Sequence, residues 1–232
     1  MNWPLKKSPS IIPSCDVSLE TFEELLKQTA DLDMVSSYKI GFVLGLSAGL
    51  PKVVEVARKY TDKPLIYDHQ KAATDIPATG KAFAKTLREA GIDVAILFPQ
   101  AGPETQKAWT EALREEGLGV IVGGRMTHPA YARSDGGYLD DKGIFDIYRN
   151  AAKAGITDYV APGNQSWMVK NIRQILQDEG IEPSFYMPGF LAQGGNLLEI
   201  NKVAGPQWHG IVGRGIYEAE DHRQAVLEIW PF

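Results

Sequence analysis

Two carboxylates and an ammonium crowd the end of one short apolar run. They are Asp68, Lys71 and Asp75, in the stretch Leu65-Ile66-Tyr67-Asp68-His69-Gln70-Lys71-Ala72-Ala73-Thr74-Asp75-Ile76-Pro77. Desolvating charge at the end of a buried strand is costly, so the cluster points to a site whose field acts on a ligand. A structural ion network is the competing explanation. Two glycine-rich turns form a second group: Pro188-Gly189-Phe190-Leu191-Ala192-Gln193-Gly194-Gly195-Asn196 and Ile211-Val212-Gly213-Arg214-Gly215-Ile216-Tyr217. Exposed backbone N–H groups with the Arg214 guanidinium suit a phosphate dianion.

These residues need elements to position them. Strands are predicted near Ile11–Cys15, Tyr38–Phe42, Leu65–Tyr67, Val94–Phe98, Gly119–Val122, Tyr159–Ala161, Phe185–Met187 and Gly210–Val212. Amphipathic helices are predicted between them, at Thr21–Ala30, Pro51–Tyr60, Thr79–Ala90, Pro103–Glu116, Gly143–Ala154, Ser166–Glu179 and Ala219–Ile229, with a short one near Asn196–Lys202. Thr21-Phe22-Glu23-Glu24 matches a helix capping box. Such alternation implies parallel strands joined by right-handed crossovers, and eight units close into a (β/α)8 TIM barrel, here a single domain over residues 1–232. An open doubly wound sheet is the alternative, but the first turn, Pro13-Ser14-Cys15-Asp16-Val17, lacks the glycine fingerprint of a dinucleotide site. The irregular stretch from Arg125 to about Lys142 is long enough for an active-site lid or a surface excursion.

In such a barrel the polar residues at strand C-termini face the active site. That rule collects Asp16, Lys39, Asp68 with the charges beyond it, Thr127-His128, Gln193 and Arg214. Asp16 could instead cap the following helix, whereas a lysine on a strand is rarely buried unless paired.

A net charge of -5, with no Lys/Arg-rich run, argues against nucleic acid as a partner. No apolar run approaches the length of a membrane span, and the first residues lack the apolar core of a signal peptide. The lone cysteine, Cys15, excludes an internal disulfide and reads as a buried small hydrophobe, so the cytoplasm is the expected compartment. No set of metal ligands emerges. His69 is expected to be structural or solvent-facing, His128 to position its loop, and His209 and His222 to be surface or packing residues. Trp3, Trp230 and Phe232 are expected to pack on helices or the barrel floor.

Across nearly its whole length the chain resembles the orotidine 5'-phosphate decarboxylase family. The matching segments are Tyr38-Lys39-Ile40-Gly41, the Asp68/Lys71/Asp75-Ile76-Pro77 cluster, Met126-Thr127-His128-Pro129, Pro188-Gly189 with Ala192-Gln193-Gly194-Gly195, and Ile211 to Tyr217. The resemblance implies cofactor-free decarboxylation of orotidine 5'-phosphate to uridine 5'-phosphate (UMP) in pyrimidine biosynthesis. It places Asp16 and Lys39 toward the ribose hydroxyls, Asp68 beside the substrate carboxylate, and Lys71 as proton donor to C6. Asp75, Ile76 and Thr79 would reach across a homodimer interface, and Thr127 would contact the pyrimidine. The 5'-phosphate would lie against Gln193, Gly213 and Arg214, within turns that also carry Pro188 and Gly194.

The family pattern is Asp-x-Lys-x-x-Asp, whereas this chain reads Asp-x-x-Lys-x-x-x-Asp. Along a regular strand Gln70, not Lys71, would share the face of Asp68, so a bulge or early turn is expected to re-aim Lys71; otherwise the site lacks its acid. Two other functions fit the barrel: a magnesium-dependent sugar-phosphate decarboxylase or aldolase, and a non-catalytic nucleotide-phosphate binder. The pyrimidine and phosphate segments argue against the first.

Overall fold

Apolar runs of three to six residues are too short for buried helices, and all eight pair as parallel strands. The computed structural model describes residues 3–5, 8–69 and 72–232, with Ala192 by its backbone alone. The strands are β1 (Ser10–Cys15), β2 (Tyr38–Gly41), β3 (Leu65–Asp68), β4 (Val94–Leu97), β5 (Gly119–Gly123), β6 (Asp158–Val160), β7 (Ser184–Met187) and β8 (Gln207–Val212). Each pairs with its neighbours in sequence, and β8 returns to β1 through Ser10↔His209 and Ile12↔Ile211, closing a (β/α)8 barrel.

Strand alternation sorts the side chains. Inward positions Ile12, Ile66, Val94, Ile96, Ile121, Val160 and Ile211 fill the barrel, while Ile11, Tyr38, Leu65, Leu97, Val122, Phe185 and Trp208 pack outward under the helices. Below the inward layer lies a polar floor. There Ser10 Oγ sits 2.7 Å from His209 Nδ1, and the Tyr186 hydroxyl donates to Asp158 at 3.0 Å. Trp3 stacks on Tyr186 at 5.5 Å, and Phe232 meets Trp208 edge-on, so these aromatics pack as expected. His209 and His222 are both buried packing residues.

The main helices are α1 (Leu19–Thr29), α3 (Leu50–Ala57), α4 (Thr79–Ala90), α5 (Pro103–Glu115), α6 (Asp141–Lys153), α7 (Ser166–Asp178), α8 (Leu197–Asn201) and α10 (His222–Ile229). Two short helices stand apart from the sequence expectation: α2 (Phe42–Ala48), where a strand was extended to Phe42, and α9 (Arg214–Tyr217). The expected capping box is also displaced. Ser18 caps α1 by accepting from the Thr21 amide, which puts Thr21 inside the first turn.

The 125–142 stretch is a folded loop tied at its base. Arg125 and Asp135 form an ion pair at 2.7 Å, Ala132 bridges Leu139, and Asp140 caps α6. Among the described residues no helix is long and apolar enough to cross a membrane.

Candidate active site

Every strand end contributes to one cavity of about 320 Å3 at the C-terminal mouth of the barrel. Inward alternation along β1 places Ser10 on the floor, Ile12 in the apolar layer, Ser14 at the cavity wall and Asp16 at its rim. Lys39 on β2 and Asp68 at the end of β3 point into the same space. Lys39 is the hub, since its Nζ lies 3.0 Å from Asp68 Oδ2 and 3.7 Å from Asp16 Oδ2. Burial alone would push the ammonium down, but the charges of Asp68 and Asp16 outweigh it and hold Lys39 above its ordinary range. The Lys39 side chain is 6% exposed, against 26% for Asp16 and 18% for Asp68, so a buried cation stands behind two carboxylates that partly reach solvent.

Asp16 is fixed from three sides. Ser14 Oγ donates to Oδ2 at 3.0 Å, Lys39 attracts the same oxygen, and Gly41 leaves the room that Oδ1 occupies. Oδ1 is buried and has no hydrogen-bond partner among the described residues. A buried carboxylate oxygen without a donor suits a ligand hydroxyl.

Across the mouth, Met126 and Thr127 follow β5, and Pro188, Gly189, Phe190 and Gln193 follow β7. Gly213, Arg214, Gly215 and Tyr217 follow β8. The loop after β7 is a tight turn in which Phe190 bridges Gly195 and the Gly194 amide donates to Leu191 O at 2.8 Å. Leu191 there adopts a φ of 57°, the left-handed region that a β-carbon disfavours. An exposed guanidinium facing a turn built from glycines can hold an anion.

The structure thus brings together Asp16, Lys39, Asp68, Thr127, Pro188, Gln193, Gly213 and Arg214. Gly194 shapes its turn without lining the cavity, and Asp75, Ile76 and Thr79 do not line it either. They stand at the surface before and within the first turn of α4: Asp75 accepts from the Ile76 amide at 2.7 Å, and Ile76 O accepts from Thr79 Oγ1 and Trp109 Nε1. Ile76 is 61% exposed.

Gln70 and Lys71, with the expected re-aiming of Lys71, lie outside the described residues. On either side of them, β3 ends at Asp68 and a turn follows in which Ala73 adopts a φ of 66° and Ala72 O accepts from the Phe98 amide at 2.8 Å. His69 faces outward, 2.7 Å from the Tyr67 hydroxyl through Nδ1 and edge-on to Phe83. His128 packs edge-on against Tyr131 in the 125–142 loop.

Ser14 and Tyr217 were missed from sequence, although the rule of inward alternation could have found Ser14 two residues before Asp16. Among the described residues no cluster of three or more His, Cys, Asp or Glu side chains could hold a metal ion.

Fold and site define a (β/α)8 barrel with a cavity at the strand C-termini, lined by an ion triad and by an anion-suited rim that adjoins it where β8 meets β1. Residues 9–229 match the family model described as orotidine 5'-phosphate decarboxylase / HUMPS family. The chain is 35% identical over 226 residues to an orotidine 5'-phosphate decarboxylase of Methanosarcina barkeri, covering 97% of this chain and 95% of the relative. A Methanosarcina mazei protein of the same name is 32% identical over the same share of each chain. Among solved structures, the orotidine 5'-monophosphate decarboxylase of Methanocaldococcus jannaschii complexed with the inhibitor BMP superposes with a TM-score of 0.82 at 25% identity, covering 95% of this chain and 96% of that one. The chain belongs to the orotidine 5'-phosphate decarboxylase / HUMPS family.

Proposed function

We propose that this protein is a carboxy-lyase that converts orotidine 5'-phosphate to UMP and CO2 in pyrimidine biosynthesis. The observation that carries the reading is the buried Lys39 ammonium held between Asp16 and Asp68, in one cavity with Gln193 and Arg214. Breaking the bond from C6 to the carboxylate releases CO2 and leaves the electron pair on C6, where no adjacent carbonyl accepts it. A fixed cation near C6 is then the stabiliser that side chains can supply.

In this reading Lys71 is that cation and gives its proton to C6, while Lys39, Asp68 and Asp75 complete an alternating array that keeps each charge in place before substrate arrives. Asp68 faces the departing carboxylate, and Asp16 with Lys39 holds the ribose hydroxyls, to which the unpartnered Asp16 Oδ1 offers an acceptor. Thr127 reads the pyrimidine. The 5'-phosphate lies on Gln193, Gly213 and Arg214, and its binding energy is available to the transition state although it is remote from C6.

We further assign the protein to the cytoplasm and to a homodimer in which Asp75, Ile76 and Thr79 enter the partner's cavity. The exposed Ile76, pinned through its backbone by Thr79 and Trp109 and not part of its own cavity's lining, supports the dimer. Ile76→Asp is expected to convert the dimer to monomers on sizing and to lower turnover with it. A monomeric parent protein at full activity overturns the shared site.

Ultraviolet monitoring of orotidine 5'-phosphate tests the reaction. Loss of substrate absorbance at enzyme-catalysed rates, abolished by Lys71→Ala and milder in Gln70→Ala, supports it. Tight UMP binding without turnover would make the protein a nucleotide-phosphate binder instead.

A further inference from the structure

Thr127 sits on an irregular stretch, yet side chains hold the backbone of four consecutive residues there, three of the bonds coming from α6 and from the turn after β6. The Tyr131 hydroxyl donates to Gly124 O at 2.8 Å, and the Arg125 amide donates to the Tyr148 hydroxyl at 3.0 Å. The Gln165 carboxamide reaches Met126 O at 3.5 Å, and Asn164 Nδ2 donates to Thr127 O at 3.2 Å. Asn164 and Gln165 belong to the turn between β6 and α7, and neither lines the cavity, whereas Met126 and Thr127 do.

A trans peptide carries its N–H opposite its C=O. Carbonyls drawn toward Asn164 and Gln165 therefore turn the amides of Thr127 and His128 the other way. The orientation of the Asn164 carboxamide is itself dictated: Thr127 O only accepts, so the NH2 must face it. The cost is visible, because Asn164 Oδ1 is left buried without a partner among the described residues. No protein donor among the described residues competes with Thr127 O for the Asn164 carboxamide from its other side. Gly189 completes the junction, since a β-carbon there would stand 3.0 Å from Thr127 Cγ2 and 3.1 Å from Asn164 Oδ1.

We propose that Asn164 is a positioning residue for base recognition: its carboxamide fixes the Thr127 carbonyl, and with it the backbone from which the Thr127 hydroxyl reaches the pyrimidine, without touching the ligand. The assignment rests on the nucleotide reading above. It predicts that removing the donor weakens ligands that carry the base and spares those that end at the sugar phosphate.

The test measures dissociation constants for UMP and for ribose 5-phosphate with the parent protein, Asn164→Ala and Asn164→Leu. Leucine fills the space without donating. The expected result is UMP binding weakened at least tenfold in both variants, ribose 5-phosphate binding within twofold of the parent, and KM raised more than kcat is lowered. Equal shifts for the two ligands, or no shift for either, overturn the proposal. So does failure of both variants to fold, because a residue the barrel cannot fold without is not a dedicated positioning device. A parent protein that binds ribose 5-phosphate but not UMP would instead sink the nucleotide reading.

Discussion

Gly41→Ala probes the ion triad through a position that carries no charge. The backbone there has φ -83° and ψ 172°, which alanine adopts freely, so any effect arises from the added methyl alone. That methyl would stand 1.6 Å from Asp16 Oδ1, where real contacts stay beyond 3.0 Å. The carboxylate must therefore withdraw by about 1.5 Å, which its partly exposed side chain can do by swinging toward solvent. At an effective dielectric of about 20, a unit pair at 3.7 Å contributes about 4.5 kcal/mol and one at about 5.2 Å about 3.2 kcal/mol. The difference is about 1.3 kcal/mol, and losing the charge-assisted Ser14 bond adds about 1.5 kcal/mol. Solvent at the Asp16 rim screens part of this, so the loss in UMP affinity and kcat/KM is expected to be about tenfold to a hundredfold. Thermal stability should fall too, by less than these sums, because the displaced carboxylate regains hydration. Calorimetric titration of UMP, ultraviolet kinetics and a melting curve give the three readouts. A Gly41→Ala enzyme that binds UMP within twofold of the parent would refute the claim that Asp16 is held ready for the ligand.

Lys39→Met removes the shared cation and leaves Asp16 and Asp68 facing each other at the cavity. Removing one partner of a buried pair destabilises the fold by up to about 3–5 kcal/mol, so the melting temperature is expected to fall, and the ultraviolet assay is expected to show turnover lowered with it. Acid stability should depend on His209. Burial lowers its pKa from 6.5 to about 3, so its neutral form stabilises the fold fully above pH 6.5, and that stability is lost as pH falls toward 3 at up to about 1.4 kcal/mol per pH unit. Asp158 on the same floor acts in the opposite sense, because burial raises its carboxyl and its contribution is lost as pH rises through the folded value. Denaturant melts of the parent and His209→Gln between pH 7 and 5 should show the parent losing more stability on acidification; parallel curves would remove His209 from the account.

The barrel was legible because each strand is an apolar run closed by turn residues and because the helices carry amphipathic stripes. Boundaries failed where local chemistry was ambiguous. The strand was expected to run to Phe42, which instead opens α2, and the cap expected at Thr21 is made by Ser18, whose hydroxyl accepts from the Thr21 amide. Asp16, Lys39, Asp68, Thr127, Gln193 and Arg214 could be found because one rule, polar residues at strand ends, converges on one cavity. Asn164 and the need for glycine at 41 could not, since each exists only through contact between segments distant in the chain.

Barrel closure has a consequence for how this site can change. Because β8 pairs with β1, the groups assigned to sugar and phosphate, Asp16 and Arg214, sit on adjoining staves, while Thr127 emerges from β5 on the opposite arc. Under the proposed function, a nucleotide would span the ring, its sugar phosphate at the β8–β1 arc and its base at β5. Substitutions around β5 and β6 can then retune which base is read while the anion grip stays intact, so new specificities are reachable in single steps from a scaffold that still captures its ligand.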